Sequence, residues 1–424
     1  MGTFSVYNVK DAPYNAAGNG VADDTSAIQS AINAAASAKG VVYLPDGTYK
    51  ITALLRLPVT GNLTLLGNSP PSTTIKKTTN TNGTTPNRTA PNRTPTITDL
   101  YTVDSILAID HPDNGWGDNV RIENMTLEGG AGSRNTYAIY APRTSHLIVR
   151  NVTTKSCDYG FFTYDTWLAL IESFESMTCK SVLSFSNDGS GAGSGTSLTA
   201  SRVSANGAEI GFDIFGLTYS TFNSCACDNV TSGAERRAYK FNVAHGITLN
   251  SCGAEAITGE VIWANLSEIV VNGFYTWAID GVSGLTFAYL WFEGSRAVLN
   301  SCKFVDFTVP RDSYNMIVQN GSQVVVSESR LPANGNPFTS YSNSVVVHLD
   351  SSGVTAKTWV DSERSGLITN NRRMFFGTTA PSSGTWNRGD IVYHQNPSAG
   401  QYIGWVCVSG GTPGTWKTFG AITA

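Results

Sequence analysis

Two carboxyl residues, Asp228 and Glu255, follow two copies of the same short motif. Residues 222–225 read Phe-Asn-Ser-Cys and residues 249–252 read Leu-Asn-Ser-Cys, and each carboxyl residue lies three positions after its cysteine. If each copy belongs to one turn of a repeat, the two carboxyl groups lie on neighbouring strands, about 4.8 Å apart. That spacing is close to the roughly 5–5.5 Å between nucleophile and acid/base in a retaining glycosidase. Like charge at this distance raises one pKa, as a general acid near neutral pH requires.

Further candidates for substrate binding lie in the same part of the chain. They are Trp263, Trp277, Asp213, Lys240, Arg236, Arg237, Glu293, Asp158 and Asp165. Trp277 and Asp306 are expected one residue further along in later turns, as a sugar-stacking face and another carboxylate. Asp213 lies next to the column of Lys240, which favours a surface ion pair there. Acidic residues at the corners of a repeat are commonly solvated, and this alternative stays open for the carboxyl pair.

The Asn-Ser-Cys motif recurs at a spacing that indicates a solenoid. The first two copies are 27 residues apart, and a third copy at residues 299–302 follows after 50. Repeat architectures have periods of roughly 20–50 residues. Weaker copies occur at residues 147–151, 168–172, 198–201 and 269–273. We expect apolar residues inside each turn and Asn and Ser ladders at its corners, with the cysteines as small buried hydrophobes rather than nucleophiles.

A second strand follows several copies of the motif, and the repeat runs at least from about residue 118 to 350. These strands lie at residues 160–163, 211–214, 238–241 and 260–263. Alternation predicts an inward face made of Phe161, Phe212, Tyr239 and Val261. It predicts an outward face made of Phe162, Asp213, Lys240 and Ile262. Residues 70–98 and 187–196 interrupt the pattern and are interpreted as a surface loop and a flexible excursion.

The first fifty residues form a block that predicts strand, glycine turn, helix and strand. Asp24 or Thr25 can cap the helix by accepting hydrogen bonds from its free N–H groups. An apolar face then repeats at helical spacing, through Ala27, Ile28, Ala31, Ile32 and Ala35. A stack of strands leaves a hydrophobic end and an unpaired edge, and this block is suited to cover both.

This block resembles the N-terminal cap of the pectate-lyase-like superfamily of right-handed parallel β-helices, over roughly residues 4–67. Phage tailspikes, alginate epimerases and many polysaccharide-degrading enzymes begin in this way. The resemblance implies an all-β, right-handed parallel β-helix with a short N-terminal capping helix. It also implies a polysaccharide as the partner, and a homotrimer, which is common in the tailspike-like branch.

The chain departs from two enzyme types within this superfamily. Alginate epimerases carry an Asp-Pro-His-Glu motif, whereas the comparable strand here reads Cys-Asp-Tyr-Gly-Phe at residues 157–161, which disfavours epimerisation. Pectate lyases abstract a proton with Arg or Lys and use calcium. Arg236 and Arg237 keep a lyase open as an alternative, with calcium as its cofactor, although no calcium-loop motif is evident.

Four segments are expected along the chain. They are the cap and first turns at 1–67, the parallel β-helix at 68–353, a connector at 354–376, and a small C-terminal β module at 377–424. The module is rich in aromatic residues, including Trp386, Tyr393, Trp405 and Trp416. It loosely resembles chitin- and cellulose-binding modules, so these side chains are interpreted either as a sugar-binding surface or as a small core or trimer interface.

Composition excludes several classes of partner. Net charge is −4 with a pI near 5.8, and the absence of Lys or Arg runs argues against nucleic acid. No apolar stretch approaches the roughly 20 residues of a membrane span, and no secretory signal is visible. Seven cysteines without metal-ligand spacing argue against a disulfide framework or a metal site. An extracellular or virion-associated protein is expected.

These observations favour a protein that binds and degrades a polysaccharide. We expect an endo-acting glycoside hydrolase that needs no cofactor, and its substrate would be a bacterial surface or extracellular polysaccharide. Asp228 and Glu255 would be acid/base and nucleophile, with Trp263 and Trp277 as stacking platforms. A β-eliminating polysaccharide lyase is the alternative enzyme. A non-catalytic receptor-binding or adhesin β-helix protein is the alternative outside enzymes.

Overall fold

The computed structural model describes the chain over thirteen ranges. They are residues 5–58, 61–79, 104–110, 117–130, 136–186, 195–233, 235–279, 287–305, 313–331, 339–340, 345–349, 367–369 and 372–424. The expected loop 70–98 is described only as far as residue 79. Residues 187–194 of the expected excursion, Asp306, and residues 354–366, 370 and 371 of the expected connector lie outside the described residues.

The N-terminal cap contains a helix that packs on the first strands. Its elements are β1 (Val6–Asn8), β2 (Asn19–Asp23), α1 (Thr25–Ala38), β3 (Val41–Leu44), β4 (Gly47–Ile51), β5 (Leu55–Pro58), β6 (Leu63–Gly67) and β7 (Thr73–Lys77). The apolar face of α1 is buried as its spacing predicts, with Ile28, Ala31 and Ile32 fully inaccessible. No helix in the described part of the chain has the length and apolar character of a membrane span.

The predicted side-chain cap of α1 is wrong in its detail. Asp24 occupies the N-cap position, but its carboxylate makes no capping hydrogen bond. It accepts instead the backbone N–H groups of Ala17, at 2.6 Å, and Gly18, at 3.0 Å. Thr25 is the first helical residue, and its hydroxyl accepts the N–H of Thr52 at 2.9 Å. These side chains therefore fix the glycine turn and the following strand to the helix.

The body consists of short strands that stack in parallel. In chain order they are β8 (Ser105–Asp110), β9 (Gly117–Asp118), β10 (Val120–Glu128), β11 (Tyr137–Tyr140), β12 (Arg143–Ser145), β13 (Ile148–Lys155), β14 (Tyr159–Thr163), β15 (Asp165–Trp167), β16 (Leu170–Met177), β17 (Ser181–Phe185), β18 (Gly195–Thr196), β19 (Thr199–Asn206), β20 (Ile210–Phe215), β21 (Leu217–Asn223), β22 (Ala226–Asp228), β23 (Arg237–Asn242), β24 (His245–Asn250), β25 (Gly253–Glu255), β26 (Glu260–Asn265), β27 (Glu268–Asn272), β28 (Tyr275–Trp277), β29 (Phe287–Glu293), β30 (Arg296–Asn300), β31 (Ser313–Gln319), β32 (Gln323–Ser327), β33 (Thr339–Ser340) and β34 (Val345–Leu349).

Two long sheets enclose one continuous apolar core. Within the described residues, an 11-stranded sheet runs from β5 to β33, and a 23-stranded sheet wraps the remaining sides. We call them the narrow sheet and the wide sheet. Each strand pairs with the equivalent strand one turn later, as β22 with β25 and β23 with β26. The fold is a right-handed parallel β-helix, as expected.

The repeated motif forms the corner ladder that its residue types predict. The side-chain amide of Asn250 donates to Asn223, Asn272 donates to Asn250, and Asn300 donates to Asn272, at 2.9–3.0 Å. The serine or glycine after each asparagine bends the chain in the left-handed region, with φ of 51° at both Ser224 and Ser251. All seven cysteines are buried and unbridged, as their small apolar character predicts.

The predicted inward and outward faces of the narrow sheet are correct at three strands and wrong at the fourth. The register aligns Phe212 with Tyr239 and then with Ile262, so Ile262 lies in the core and Trp263 takes the outward position. The reason is that β26 buries two consecutive residues, Val261 and Ile262. If strict alternation is counted from Val261, it assigns Ile262 to the outward face and Trp263 to the inward face, which is the reverse of the observed arrangement. Phe162 lies in the outward row, as predicted, but it does not face solvent, because it is buried in an aromatic cluster separate from the main core.

The C-terminal module is a separate five-stranded sheet. Its strands are β35 (Leu367–Thr369), β36 (Arg372–Gly377), β37 (Ile391–His394), β38 (Tyr402–Ser409) and β39 (Thr415–Ala421). Neighbours are antiparallel except β36 and β37. The sheet thus begins in the stretch that the sequence assigned to the connector.

Candidate active site

Three side chains form one row across neighbouring strands of the wide sheet. Asp228 ends β22 and pairs with Glu255 at the end of β25, which in turn pairs with Trp277 at the end of β28. Trp277 therefore lies in the same row as the carboxyl groups, not one residue further along. The reason is that Tyr275 pairs with Gly253, so the buried Phe274 takes the place that Cys252 holds one turn earlier.

Backbone hydrogen bonds fix the ends of these strands. The N–H of Asn229 donates to the Glu255 carbonyl at 2.9 Å, and the N–H of Ala256 donates to the Trp277 carbonyl at 3.0 Å. Asn229 and Ala256 both turn the chain in the left-handed region. The three side chains of the row therefore emerge from a regular ladder, about 4.8 Å apart at the backbone.

The residues beside the row change from small to aromatic to cationic. Two positions before the row, Ala226, Gly253 and Tyr275 follow one another on successive strands. The same line continues through Lys303 and Arg330. A methyl group and a hydrogen thus flank the carboxyl pair on this side. Tyr275 is 43% exposed and Trp277 is 55% exposed, which is unusual for large aromatic side chains.

The electrostatic surroundings of the pair favour proton transfer. Partial burial raises the pKa of Asp228 above its ordinary value, and the nearby charge of Glu255 raises it further, against a smaller lowering by a backbone hydrogen bond. Glu255 is exposed. Within the described residues, neither carboxyl group forms an ion pair with a Lys, Arg or His side chain. Asp228 therefore holds its proton more tightly than an ordinary aspartic acid does.

Buried hydroxyl groups support the strands that carry the row. The Tyr239 hydroxyl lies 2.8 Å from the Cys225 carbonyl and 3.0 Å from the Gly253 carbonyl. Its ring stacks on Phe212, with centroids 4.6 Å apart. In β28, the Thr276 hydroxyl is hydrogen-bonded to the hydroxyl of Tyr289. These contacts anchor β22, β25 and β28 from inside the core.

Comparisons with known proteins agree with this architecture. The family described as Rhamnogalacturonase A/epimerase, pectate lyase-like matches residues 6–167. The tailspike gp42 of Acinetobacter phage vb_AbaP_AS12 superimposes with a TM-score of 0.64, at 16% identity, over 93% of this chain and 72% of the tailspike. The family match covers less than half of the chain, whose fold is a parallel β-helix. At this identity the structural likeness shows the fold alone.

Two further proteins are similar to this chain, one in structure and one in sequence. DFA-IIIase from Arthrobacter chlorophenolicus A6, without its lid, superimposes with a TM-score of 0.54 at 12% identity, over 81% of this chain and 94% of that protein. Mannuronan C5-epimerase AlgE5 of Azotobacter vinelandii is 51% identical over 63 residues, which are 15% of this chain and 6% of the epimerase. The chain thus spans only a small part of that relative.

The predicted residues of the narrow sheet form a network of ion pairs. Asp213, Lys240 and Trp263 lie in one outward row. The ammonium group of Lys240 lies 3.5 Å from Asp213 and 2.8 Å from Glu235. The expected surface ion pair between Asp213 and Lys240 is therefore present. These residues lie in a different sheet from Asp228 and do not join its row.

The guanidinium group of Arg237 connects the rest of this network. It lies 2.8 Å from Glu235, 3.3 Å from Glu260, and 4.5 Å from the centre of the Trp263 ring. Burial raises the pKa of Glu260, and Arg237 offsets part of that rise. The cation thus lies over the aromatic face of Trp263. Arg236 lies directly before β23. Its backbone carbonyl lies so close to Gly259 that residue 259 has no room for a side chain.

The remaining predicted carboxylates lie on other turns and make local contacts. Asp158 is buried and lies 3.1 Å from the ammonium group of Lys180. Asp165 accepts a hydrogen bond of 2.9 Å from the indole of Trp167 in the same strand. Glu293 accepts one of 2.7 Å from the amide of Asn320.

The tryptophans of the C-terminal module contact other aromatic side chains. Trp386 meets Trp416 edge to face with centroids 5.1 Å apart, and the Trp405 ring lies 5.3 Å from His394. Tyr393 meets Phe419 edge to face at 5.7 Å. All four of these predicted residues are only partly buried, so each keeps some exposed surface beside its aromatic contact.

Sequence reasoning missed Tyr275, Lys303 and Arg330 beside the carboxyl row. One signal could have found Lys303, because it follows Cys302 directly, as Gly253 follows Cys252. Arg330 carries no such signal. Its place in this line follows only from the parallel bridge between its backbone and that of Lys303.

Proposed function

We propose that this β-helix binds a polysaccharide along its wide sheet and cleaves it as an endo-acting glycoside hydrolase, with a bacterial surface or extracellular polysaccharide as substrate. The observation that carries the proposal is the in-register pair of Asp228 and Glu255. This pair has no cationic partner in the described part of the chain, and the exposed Trp277 lies one strand away.

The mechanism assigns one role to each carboxyl group. Asp228, with its raised pKa, donates its proton to the glycosidic oxygen as the bond to the anomeric carbon breaks. Glu255 attacks that carbon as a carboxylate and forms a covalent glycosyl ester. Asp228, now ionised, takes a proton from water, whose oxygen attacks the same carbon and releases Glu255. Two displacements retain the anomeric configuration, as a close carboxyl pair requires. Trp277 would stack on a neighbouring sugar ring.

The comparisons support a carbohydrate function without naming the reaction. The similar proteins are described as a phage tailspike, a mannuronan epimerase and DFA-IIIase. By analogy with the tailspike, we propose an extracellular or virion-associated location and a homotrimeric assembly. The aromatic C-terminal module would serve as a carbohydrate-binding or trimerisation unit.

Product analysis tests this function against its alternatives. The protein is incubated with capsular, teichoic and uronic polysaccharides while reducing ends and the absorbance of an unsaturated uronate are followed. We expect new reducing ends without that absorbance. Absorbance would support a β-eliminating lyase instead. Binding with neither signal would replace both enzymes with a non-catalytic receptor-binding or adhesin protein, and no binding to any polysaccharide would overturn the proposal.

A further inference from the structure

We infer that the corner between the narrow sheet and the wide sheet binds a saccharide chain at a second site, away from the carboxyl row. A cavity of about 200 Å³ opens at this corner, and its lining includes His245, Glu268, Arg296 and Gln323. The inference takes only the class of ligand, a polysaccharide, from the proposed function. The cavity shares no residue with the row that starts at Asp228.

The cavity lies where the corner becomes shorter from one turn to the next. Asn242 pairs with Asn265, and Thr248 pairs with Val270, so the later turn covers the same interval with one residue fewer. The earlier turn has an additional left-handed bend at Gly246, with φ of 65°. No residue of β27 has such a bend. The change of outline leaves a recess that residues of both turns line.

The polar side chains of the cavity are of the kinds that bind sugar hydroxyl groups. Glu268 pairs in register with Arg296, which pairs with Gln323 on the next strand. The carboxylate of Glu268 lies 3.1 Å from the guanidinium group of Arg296 and 3.9 Å from the imidazole of His245. A guanidinium group has more donors, and a carboxylate more acceptor sites, than one ion pair uses. The remaining donors and acceptors are available to a ligand.

Exposed aromatic rings extend this surface beyond the cavity. Tyr219 is 77% exposed and Trp167 is 46% exposed. A Cβ atom at residue 246 would lie 3.3 Å from the Tyr219 ring, so Gly246 leaves room for that ring next to His245. Contiguous exposed apolar surface marks interaction sites, and flat aromatic faces stack on the apolar face of a sugar. We call Trp167, Tyr219 and the cavity the corner surface.

The strand register gives the corner surface its direction. Trp167 pairs with Thr196, and Thr196 pairs with Thr218, the residue before Tyr219. The two rings are therefore two strands apart, about 10 Å along the helix axis, with a small threonine side chain between them. Thr218 in turn pairs with His245 at the cavity. A sugar chain that runs along the axis can stack on both rings and place its next unit in the cavity.

A strand and a bend separate the corner surface from the carboxyl row in each turn. Glu268 begins β27, and Asn272 ends it in the asparagine ladder. Trp277 of the carboxyl row follows only after that bend. One short sugar chain along the axis therefore occupies one site or the other, whereas a long polymer can bind both through different segments. Linked binding of this kind increases the overall affinity.

Equilibrium binding tests the corner surface independently of cleavage. Every variant carries Glu255→Gln, so that the probe is not hydrolysed during the measurement. The probes are mannuronan, polygalacturonate, dextran and glycerol teichoic acid, and binding is measured by affinity electrophoresis. Tyr219→Ala removes the ring and Arg296→Ala removes the charge at the cavity. Arg202→Ala is the matched control, since this exposed cation is also paired with a glutamate, at 2.7 Å.

We expect the combined variant Y219A/R296A to weaken binding of at least one probe by about 10-fold, as the loss of one stacked ring and one charged donor would give. R202A should change the affinity less than about twofold. Unchanged affinity of the combined variant for every probe, or no binding of any probe, would overturn the inference.

Trp277→Ala distinguishes this failure from a failure of the proposed function. If W277A weakens binding and Y219A/R296A does not, the polymer binds only at the carboxyl row, and the corner surface is refuted while the proposed function stands. If Y219A/R296A weakens binding but the protein with its native Glu255 cleaves none of the probes, the corner surface is supported and the hydrolase assignment fails for those polymers.

Discussion

The Asp213 row of the narrow sheet and the Asp228 row of the wide sheet have opposite electrostatic surroundings. On the narrow sheet, Asp213 and Glu260 each lie within ion-pair distance of a cation, and Arg237 lies over the ring of Trp263. On the wide sheet, Asp228 lies beside another carboxyl group, and Trp277 is exposed. Both surfaces have the composition of a sugar-binding site. On our proposal, the ion-paired row is a structural network and the carboxyl row is the site of proton transfer.

The largest expected difference between the two surfaces is catalytic. Asp228→Asn and Glu255→Gln should each lower kcat by about 10²–10⁴-fold, the usual contribution of such groups. Asp213→Asn should leave kcat within about threefold, because its charge serves an ion pair. Reducing-end assays on a cleaved polysaccharide measure all three. A loss of activity in D213N with full activity in D228N would reverse the assignment.

Loss of sugar stacking should raise KM more when Trp277 is replaced than when Trp263 is replaced. Trp277→Ala removes an exposed ring next to the carboxyl pair and should raise KM about 2- to 12-fold, as a loss of roughly 0.5–1.5 kcal/mol predicts. Trp263→Ala removes a ring that Arg237 already contacts, and its KM should change less than about twofold. Equal effects on KM would show that the polysaccharide contacts both sheets.

The hydroxyl group of Tyr239 should contribute to stability beneath the site. Tyr239→Phe deletes the donor to the Cys225 and Gly253 carbonyls and should lower the free energy of unfolding by about 1 kcal/mol. Tyr289→Phe, which removes the partner of Thr276, is the matched change two strands away in the narrow sheet. Denaturant unfolding measures both. An unchanged midpoint in both variants would show that these contacts do not hold the strands.

The raised pKa of Asp228 predicts a small pH-dependent effect on stability. The pKa is above 3.8 in the folded protein, so its favourable contribution is present below pH 3.8 and is lost as pH rises through the folded-state pKa. Asp228→Asn, which stays neutral, should therefore gain stability relative to the wild type as pH rises. The same pKa predicts that kcat/KM falls at higher pH, where the proton donor is ionised. Thermal unfolding from pH 3 to 8 would contradict this if D228N lost stability as pH rose.

The sequence predicted the fold and the register of the carboxyl pair because both depend on local repeats. The asparagine of each motif hydrogen-bonds to its equivalent one turn away, so alignment of the motifs aligns the strands. The predicted position of Trp277 was wrong by one residue. Phe274 stands where the neighbouring turns have a cysteine, so no motif marks the register of that turn. The network around Arg237 could not be predicted, because Glu235 reaches it from outside the strands.

The stereochemistry of the first-formed product tests the central account most directly. Proton NMR during early cleavage of a polysaccharide substrate distinguishes the two anomers before they equilibrate. Because Asp228 and Glu255 lie on adjacent strands in register, the account predicts retention of configuration, and no product from D228N or E255Q. Inversion of configuration, or an unsaturated product, would contradict it.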